Sequence, residues 1–433
     1  MALGPFFCLK RFTTAWYNID TMALSFFSRQ KQNESLTLLV DIGSASVGAA
    51  LVTIEKGRTP NIIASVRENI SFQEVLSSSR FLLAMNQALD KGLKTLQEKA
   101  KQPSLRPGLR PGREFTNSEP VGSPKNIFCT LSSPWFILKT RNLHIAKAEE
   151  FEVTERSLEG FIEEDVAKLK EELKGTLPPE DVKIIEKKII HIKLNGYEIK
   201  NPYKQKTSRM EMTITVGVSS GKVIQSIERK INNFFHAKPV LFGAFPVAAF
   251  SAIRDIFPTE NNFLFLDITG EATDVSRVEN DLLTRTVSFP RGKNFFIREI
   301  SARLRTVHEE ATTLFSMFLR GELDAVRSAE VSGIVTQVKE EWLTRFEKAV
   351  TTLAENGVPP RKIFFTTDAD ISPLFLDLIA NAKSELLMGA QFEVQYLDQH
   401  IVSKFVSFNT EITRDPFIVI EALLAEKLLK QHT

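Results

Sequence analysis

LTLLVDIGSASVGAALVTI, residues 36–54, is an apolar run interrupted once, at Asp41-Ile42-Gly43-Ser44. Short Leu/Val-rich runs that stop at turn residues read as buried strands. The spacing therefore predicts a strand over 36–40, a tight turn, and a second strand over 47–54. Gly57 and Pro60 mark another turn, and NIIASVRENI supplies a third strand. A three-strand meander opens the chain. A helix is expected over 71–101, where Phe81, Leu82, Met85, Leu89 and Leu93 recur at helical spacing.

The same pattern returns far downstream. Residues 262–267 read as a buried strand that ends in Asp267-Ile268. Thr269-Gly270-Glu271-Ala272 forms the turn, and 272–281 and 282–290 complete a second meander. Two such units begin two similar lobes. An internal duplication of this kind places a cleft between the lobes.

The remaining segments fall around these two units. Residues 1–35 read as an aromatic and basic tail. Residues 36–101 open the first lobe, and 102–125 form a Pro/Gly-rich loop carrying an RPGLRPG repeat. Residues 126–219 read as a small inserted α/β unit, and 220–260 return to the first lobe. Residues 261–362 form the second lobe, helical over about 295–321 and 330–356. Residues 363–433 supply a strand and the final helices that complete the lobes.

Composition narrows the class. The chain has 433 residues, 43% hydrophobic and 25% charged, enough for sizeable cores. Its 55 basic and 53 acidic residues leave a net charge of +2, which argues against a broad nucleic-acid-binding surface and leaves local basic patches open. Two cysteines, Cys8 and Cys129, make neither a disulfide framework nor a thiolate zinc site, and they suit a reducing cytosol. No stretch is long and charge-free enough for a membrane helix. Two readings of the tail stand open: a disordered extension, with the start at Met22, or a membrane-surface anchor using Phe6, Phe7, Trp16, Phe26 and Phe27 with nearby Lys and Arg.

The turns carry the candidate chemistry. At the first, Gly43 permits close backbone approach and Ser44 and Ser46 offer hydroxyls to phosphate oxygens. Asp41 suits Mg²⁺ held through water. One such turn is an ordinary feature; a second at Asp267, Gly270 and Thr273 supplies the other jaw of a clamp.

This pair resembles the phosphate motifs of the actin, sugar-kinase and heat-shock-chaperone superfamily. The middle of the chain, Lys188 to Tyr197, Lys200-Asn201-Pro202-Tyr203 and Arg209 to Met212, is similar to the domain inserted in the bacterial division protein FtsA. The way residues 223–246 leave that insert resembles FtsA and the pilus protein PilM. The resemblance implies an α/β, two-lobed, actin-like (ribonuclease H-like, duplicated) fold with a small α/β domain inserted in the first lobe. It implies a nucleotide site at Asp41, Gly43, Ser44, Ser46, Asp267, Gly270, Thr273, Gly292, Thr366 and Thr367, with ATP as cofactor and Mg²⁺ at Asp41 and Asp267.

The departures matter as much. Thr269 and Glu271 replace glycines of the second phosphate motif, and both glycines of the adenosine motif are missing at Thr366-Thr367-Asp368. Thr312 and Phe315 stand where ribose contacts are usual, and Lys293 reads as a solvated cation. A β-carbon where backbone must touch a ligand is an obstacle. The expectation is a scaffold with a degenerate cleft and at most weak ATPase activity. It would be cytoplasmic and peripheral at the inner membrane, touching it through the tail. Its partners would be a tubulin-like division protein, other divisome components and copies of itself. The alternative is a PilM-like adaptor bound to pilus inner-membrane proteins; the enzyme alternative is a kinase or ATPase of the same superfamily. The 416–430 region, with Phe417, Ile420, Leu424 and Leu428 on one face, reads as a helix packed on the lobe rather than a detached membrane anchor.

Overall fold

The computed structural model describes residues 34–55, 57–101, 123–235, 239–355, 357–382, 389–409 and 412–430. The expectations for the tail before residue 34, for Cys8 and for the RPGLRPG repeat lie outside these residues.

The first meander is β1 (Glu34–Ile42), β2 (Ser46–Glu55) and β3 (Asn61–Asn69), paired antiparallel in sequence order. Helix α1 (Ser78–Ala100) starts later than the sequence suggests. Serines 77–79 compete for backbone hydrogen bonds at its start, and Phe72 is drawn away to pack against the apolar core of the second lobe. Residues 71–77 thus form a strap between lobes. Strand β4 (Asn126–Leu131) pairs parallel with β1. It belongs to the sheet of the first lobe, not to the insert as its sequence position suggested.

The insert is β5 (Phe136–Glu152), α2 (Glu155–Glu172), β6 (Val182–Leu194), β7 (Tyr197–Glu198) and β8 (Lys206–Ser220). Its sheet has the order β5-β8-β6-β7. Leu158, Ile162 and Leu169 of α2 cover that sheet, and Thr154 and Ser157 cap the helix reciprocally. The chain returns through α3 (Gly221–Phe235), β9 (Leu241–Ala244) and α4 (Phe245–Ile256).

The second meander is β10 (Phe263–Ile268), β11 (Thr273–Glu279) and β12 (Leu282–Phe289). Three helices follow: α5 (Lys293–Leu304), α6 (His308–Arg320) and α7 (Ala325–Ala354). The single helix expected over 295–321 is two, because Arg305 adopts the left-handed conformation (φ 53°) and ends α5. Helix α7 starts at Ala325 because Asp324 accepts from the backbone N–H groups of Val326 and Arg327. Then come β13 (Lys362–Thr366), α8 (Ser372–Ala380), β14 (Glu393–Tyr396), the single turn α9 (Gln399–Val402), β15 (Ser407–Phe408) and α10 (Pro416–Lys430).

The two lobe sheets repeat one plan. Their orders are β15-β3-β2-β1-β4-β9 and β12-β11-β10-β13-β14. In each, an antiparallel meander is extended by two parallel strands on the side of its first strand. The registers match as well. Asp41 lies opposite Gly48 and Thr130, and Asp267 lies opposite Asp274 and Thr366.

The lobes share apolar contact through α4. Residues 245–253 of this helix are all buried, as expected of a helix that is apolar on every side. Side chains alternate faces along β10. Phe263 and Phe265 join the first-lobe core with Phe245, while Leu264, Leu266 and Ile268 face the second-lobe core. Helix α10 packs on α4, β1 and β2 and buries Ile418, Val419, Ile420 and Ala422. Among the described residues no helix is long and apolar enough to cross a membrane.

Trp342 is fully buried in the second lobe, stacked on Phe346 and packed against Phe289 and Phe375. Replacing it with Ala is expected to cost about 3–5 kcal/mol, read as a lowered urea midpoint.

Candidate functional site

The candidate site lies where the β1–β2 turn of one lobe meets the β10–β11 turn of the other. In the first turn, the Gly43 N–H donates to the Ser46 carbonyl at 3.0 Å, and a β-carbon on Gly43 would lie 3.0 Å from that same oxygen. Ser44 is thereby aimed at the second lobe. Its Oγ donates to Thr269 Oγ1 at 2.7 Å and accepts from the Glu271 backbone N–H at 2.8 Å. Thr269 passes the chain on to the Ala272 carbonyl at 2.9 Å. Gly270 lies against Ala45, and a β-carbon there would be 2.8 Å from the Ala45 methyl. Gly292 is tighter still: its β-carbon would meet the Thr269 carbonyl at 2.2 Å. The two turns are in direct contact.

Beneath the first turn lies a buried ionic group. Arg67, from β3, donates to Asp41 at 2.7 Å, to Ser46 Oγ at 2.8 Å, and to both oxygens of Asp415 at 2.7 and 3.1 Å. Gly48 makes room for it, since a β-carbon would lie 2.7 Å from the guanidinium. Asp415 also accepts from the Phe417 and Ile418 N–H groups at the start of α10. Burial pushes the Asp41 carboxyl up, against the pull of Arg67. Burial also pushes Glu421, on α10, well above the ordinary range, with Asp41 adding to the shift; Thr130 donates to it. Asp41 Oδ1 and Glu421 Oε2 have no hydrogen-bond partner.

The second turn has its own acids. Asp267 accepts from Ser132 Oγ at 2.8 Å and from Thr366 Oγ1 at 2.9 Å. Burial, reinforced by Asp274, pushes it up to about 8. Asp274 accepts from Ser133 at 2.6 Å and from Ser288, and burial raises it too. Ser132 and Ser133 sit between β4 and β5, so the first lobe donates hydroxyls to both acids of the second.

The other expected residues lie close by. Thr273 donates to the Arg291 carbonyl at 2.7 Å and accepts from Trp342 Nε1. Thr367 is buried with its hydroxyl unpartnered, and its carbonyl accepts from the Tyr396 hydroxyl. Lys293 is not solvated: Asp368 and Asp370 hold its ammonium at 2.9–3.0 Å. Glu271 is bound by Asn294 at 2.7 Å and by Arg298 at 2.6 and 2.7 Å. Sequence reasoning passed over Arg67, Ser132, Ser133, Arg298, Asp415 and Glu421. The available signal was a lone Glu inside the apolar run PFIVIEALLA.

A nucleotide triphosphate that bridged both turns would have to pass between Ser44 and Thr269. Their separation is that of a hydrogen bond and leaves no space for a phosphate. The nearby cation Arg67 is already neutralised by Asp41 and Asp415, and Lys293 by Asp368 and Asp370. Among the described residues no group of three or more His, Cys, Asp or Glu is placed to hold a metal. This arrangement does not fit a magnesium nucleotide between the turns.

No family model matches the chain, and no curated protein matches it by sequence. Solved structures do match. A PilM–PilN type IV pilus biogenesis complex aligns over 92% of this chain and 98% of the other, with 12% identity and a TM-score of 0.59. A Bacteroides thetaiotaomicron protein described as having an actin-like ATPase fold aligns over 91% and 96%, with 12% identity and a TM-score of 0.39. The activator of the 2-hydroxyisocaproyl-CoA dehydratase from Clostridium difficile, solved with bound ADPNP, aligns over 92% and 96%, with 12% identity and a TM-score of 0.37. The first likeness and the repeated sheet plan establish the fold. The chain has the two-lobed actin-like fold, with a small α/β domain inserted in the first lobe.

Two outcomes are expected. Asp267 keeps its proton up to about 8 in the folded chain, against an ordinary value of 3.8. Its contribution to stability is thus fully present below the lower value and lost as pH rises through the higher one. Asp267→Asn should remove up to about 1.4 kcal/mol per pH unit from the fall in stability across that window, measured by urea unfolding at several pH values. Gly292→Ala should cost about 3 kcal/mol, because the clash is with backbone; a thermal melt reads it.

Proposed function

We propose that this chain is a PilM-like adaptor of type IV pilus assembly, an actin-fold scaffold at the cytosolic face of the inner membrane. Its cleft is closed by its own side chains, and its partner is a segment of a pilus inner-membrane protein. The single observation that carries the scaffold reading is the direct contact of the two turns, Ser44 on Thr269 and on the Glu271 N–H. A nucleotide could engage both turns only after that contact opened. The pilus assignment draws on the similarity to the PilM–PilN complex, which extends over 98% of that chain. By resemblance, an outer second lobe that is helical and short of strands is more PilM-like than FtsA-like, and among the described residues between β12 and β13 there are three helices and no strand. An FtsA-like role in division has no comparable support.

Inactivating the gene tests the assignment. Loss of surface pili with normal division is the expected result; filamentous cells that keep their pili would transfer the protein to division. Calorimetry tests the cleft separately. Millimolar Mg·ATP should give no binding heat with the wild-type chain, and micromolar binding that Asp41→Ala and Asp267→Ala both abolish would show a working nucleotide switch.

A further inference from the structure

The two residues that by resemblance stand in place of glycine at the second turn both meet Ser44, Thr269 through its hydroxyl and Glu271 through its backbone N–H. The Glu271 side chain fills a basket of donors. The Glu271 carboxylate is almost fully buried. One oxygen takes Asn294 Nδ2 at 2.7 Å and Arg298 at 2.6 Å, and the other takes the same Arg298 nitrogen at 2.7 Å. Asn294 and Arg298 lie on the first turns of α5, and the Asn294 N–H donates to the Gly270 carbonyl at 2.8 Å. Arg298 is itself fixed: its Nε donates to the Gln73 carbonyl at 3.0 Å, and its guanidinium lies 5.1 Å over the Phe72 ring. Phe72 stacks on His308 at 5.0 Å. The strap from the first lobe therefore clamps the cation that holds Glu271.

We propose that Arg298 and Asn294 form a built oxyanion site at the lobe interface, and that Glu271 is its permanent internal ligand. The ligand class of the emptied site is a phosphate-type oxyanion. A carboxylate and a phosphate offer a guanidinium the same pair of charged acceptor oxygens. Removing the carboxylate leaves Arg298 held in place by Gln73 and Phe72 but without its counter-charge. The inference rests on the closed-cleft part of the proposed function and not on the pilus assignment.

The test is Glu271→Gly, titrated with inorganic pyrophosphate by calorimetry and followed by thermal shift. The wild type should not respond. The variant should bind at least roughly tenfold more tightly than the wild type and melt higher with pyrophosphate. Adding Arg298→Gln to the variant should abolish both effects. ATP in a parallel arm separates the sources: affinity equal to that of pyrophosphate assigns binding to the phosphates alone, and tighter binding adds an adenosine contribution to the same site. A folded Glu271→Gly that ignores both ligands, or one whose response survives Arg298→Gln, overturns the proposal. Where the glycine variant does not fold, Glu271→Ala carries the test: it empties the same space with a stiffer backbone, and a melting temperature unmoved by pyrophosphate rejects the site. Wild-type binding of Mg·ATP would instead sink the closed cleft itself, so the two failures are distinct.

Discussion

Ser44 uses both of its hydrogen-bonding capacities across the lobe boundary, one to a side chain and one to a backbone N–H. Most of what surrounds it follows from that demand. For the turns to touch, Gly270 must lack a side chain because it packs on Ala45, and Gly292 must lack one because it packs on the backbone of Thr269 and Gly270 behind that turn. For Ser44 to point outward, Gly43 must close tightly on Ser46. Ser132 and Ser133 add hydroxyls from the same lobe to two acids of the other. The lobes are thus held by a polar seam beside the shared apolar contact through α4 and the phenylalanines of β10 and β13.

That seam carries an electrostatic load. Asp41, Asp267, Asp274 and Glu421 are all buried, and burial raises each of them. Buried charge is costly unless paired and hydrogen-bonded. The two lobes meet the cost differently. The first sets an arginine beside Asp41, in space made by Gly48. The second has Asp274 at the matching register position and relies on hydroxyl donors and a retained proton. The duplication is therefore faithful in backbone and divergent in chemistry.

Much of the fold was legible because it is written locally. The strands β1 and β10 are apolar runs ending in Asp-Ile, and α10 packs on the lobe as expected, though of the face read from its period only Ile420 is fully buried while Phe417, Leu424 and Leu428 are partly so. The candidate residues at the two turns do come together. The chemistry that closes them was not legible, for a physical reason. Arg67, Asp415 and Glu421 leave no periodic trace, and the register of β1, β3 and α10 alone brings them to Asp41. Lys293 read as solvated because the acids that hold it lie at the far end of β13. Thr269 and Glu271 were visible only as missing glycines, obstacles to a ligand; in the folded chain they are the contacts. The start of α1 was misplaced because Phe72 obeys the second lobe's core rather than its own helix.

The placement of α10 and β15 also governs the order in which the molecule can come together during synthesis. The second lobe's sheet is built from a nearly continuous stretch, β10 to β14. The first lobe's sheet takes its edge strand β15 from residues 407–408 and its acid Glu421 and the cap Asp415 from the helix after it. A chain emerging from the ribosome has Asp41 to pair with Arg67 at once, but its second counter-ion, Asp415, comes only 348 residues later. Domains usually mature from the N-terminus onward; here the lobe that is translated first is the one that must wait, with β1 to β4 incomplete until α10 has been made to cover them.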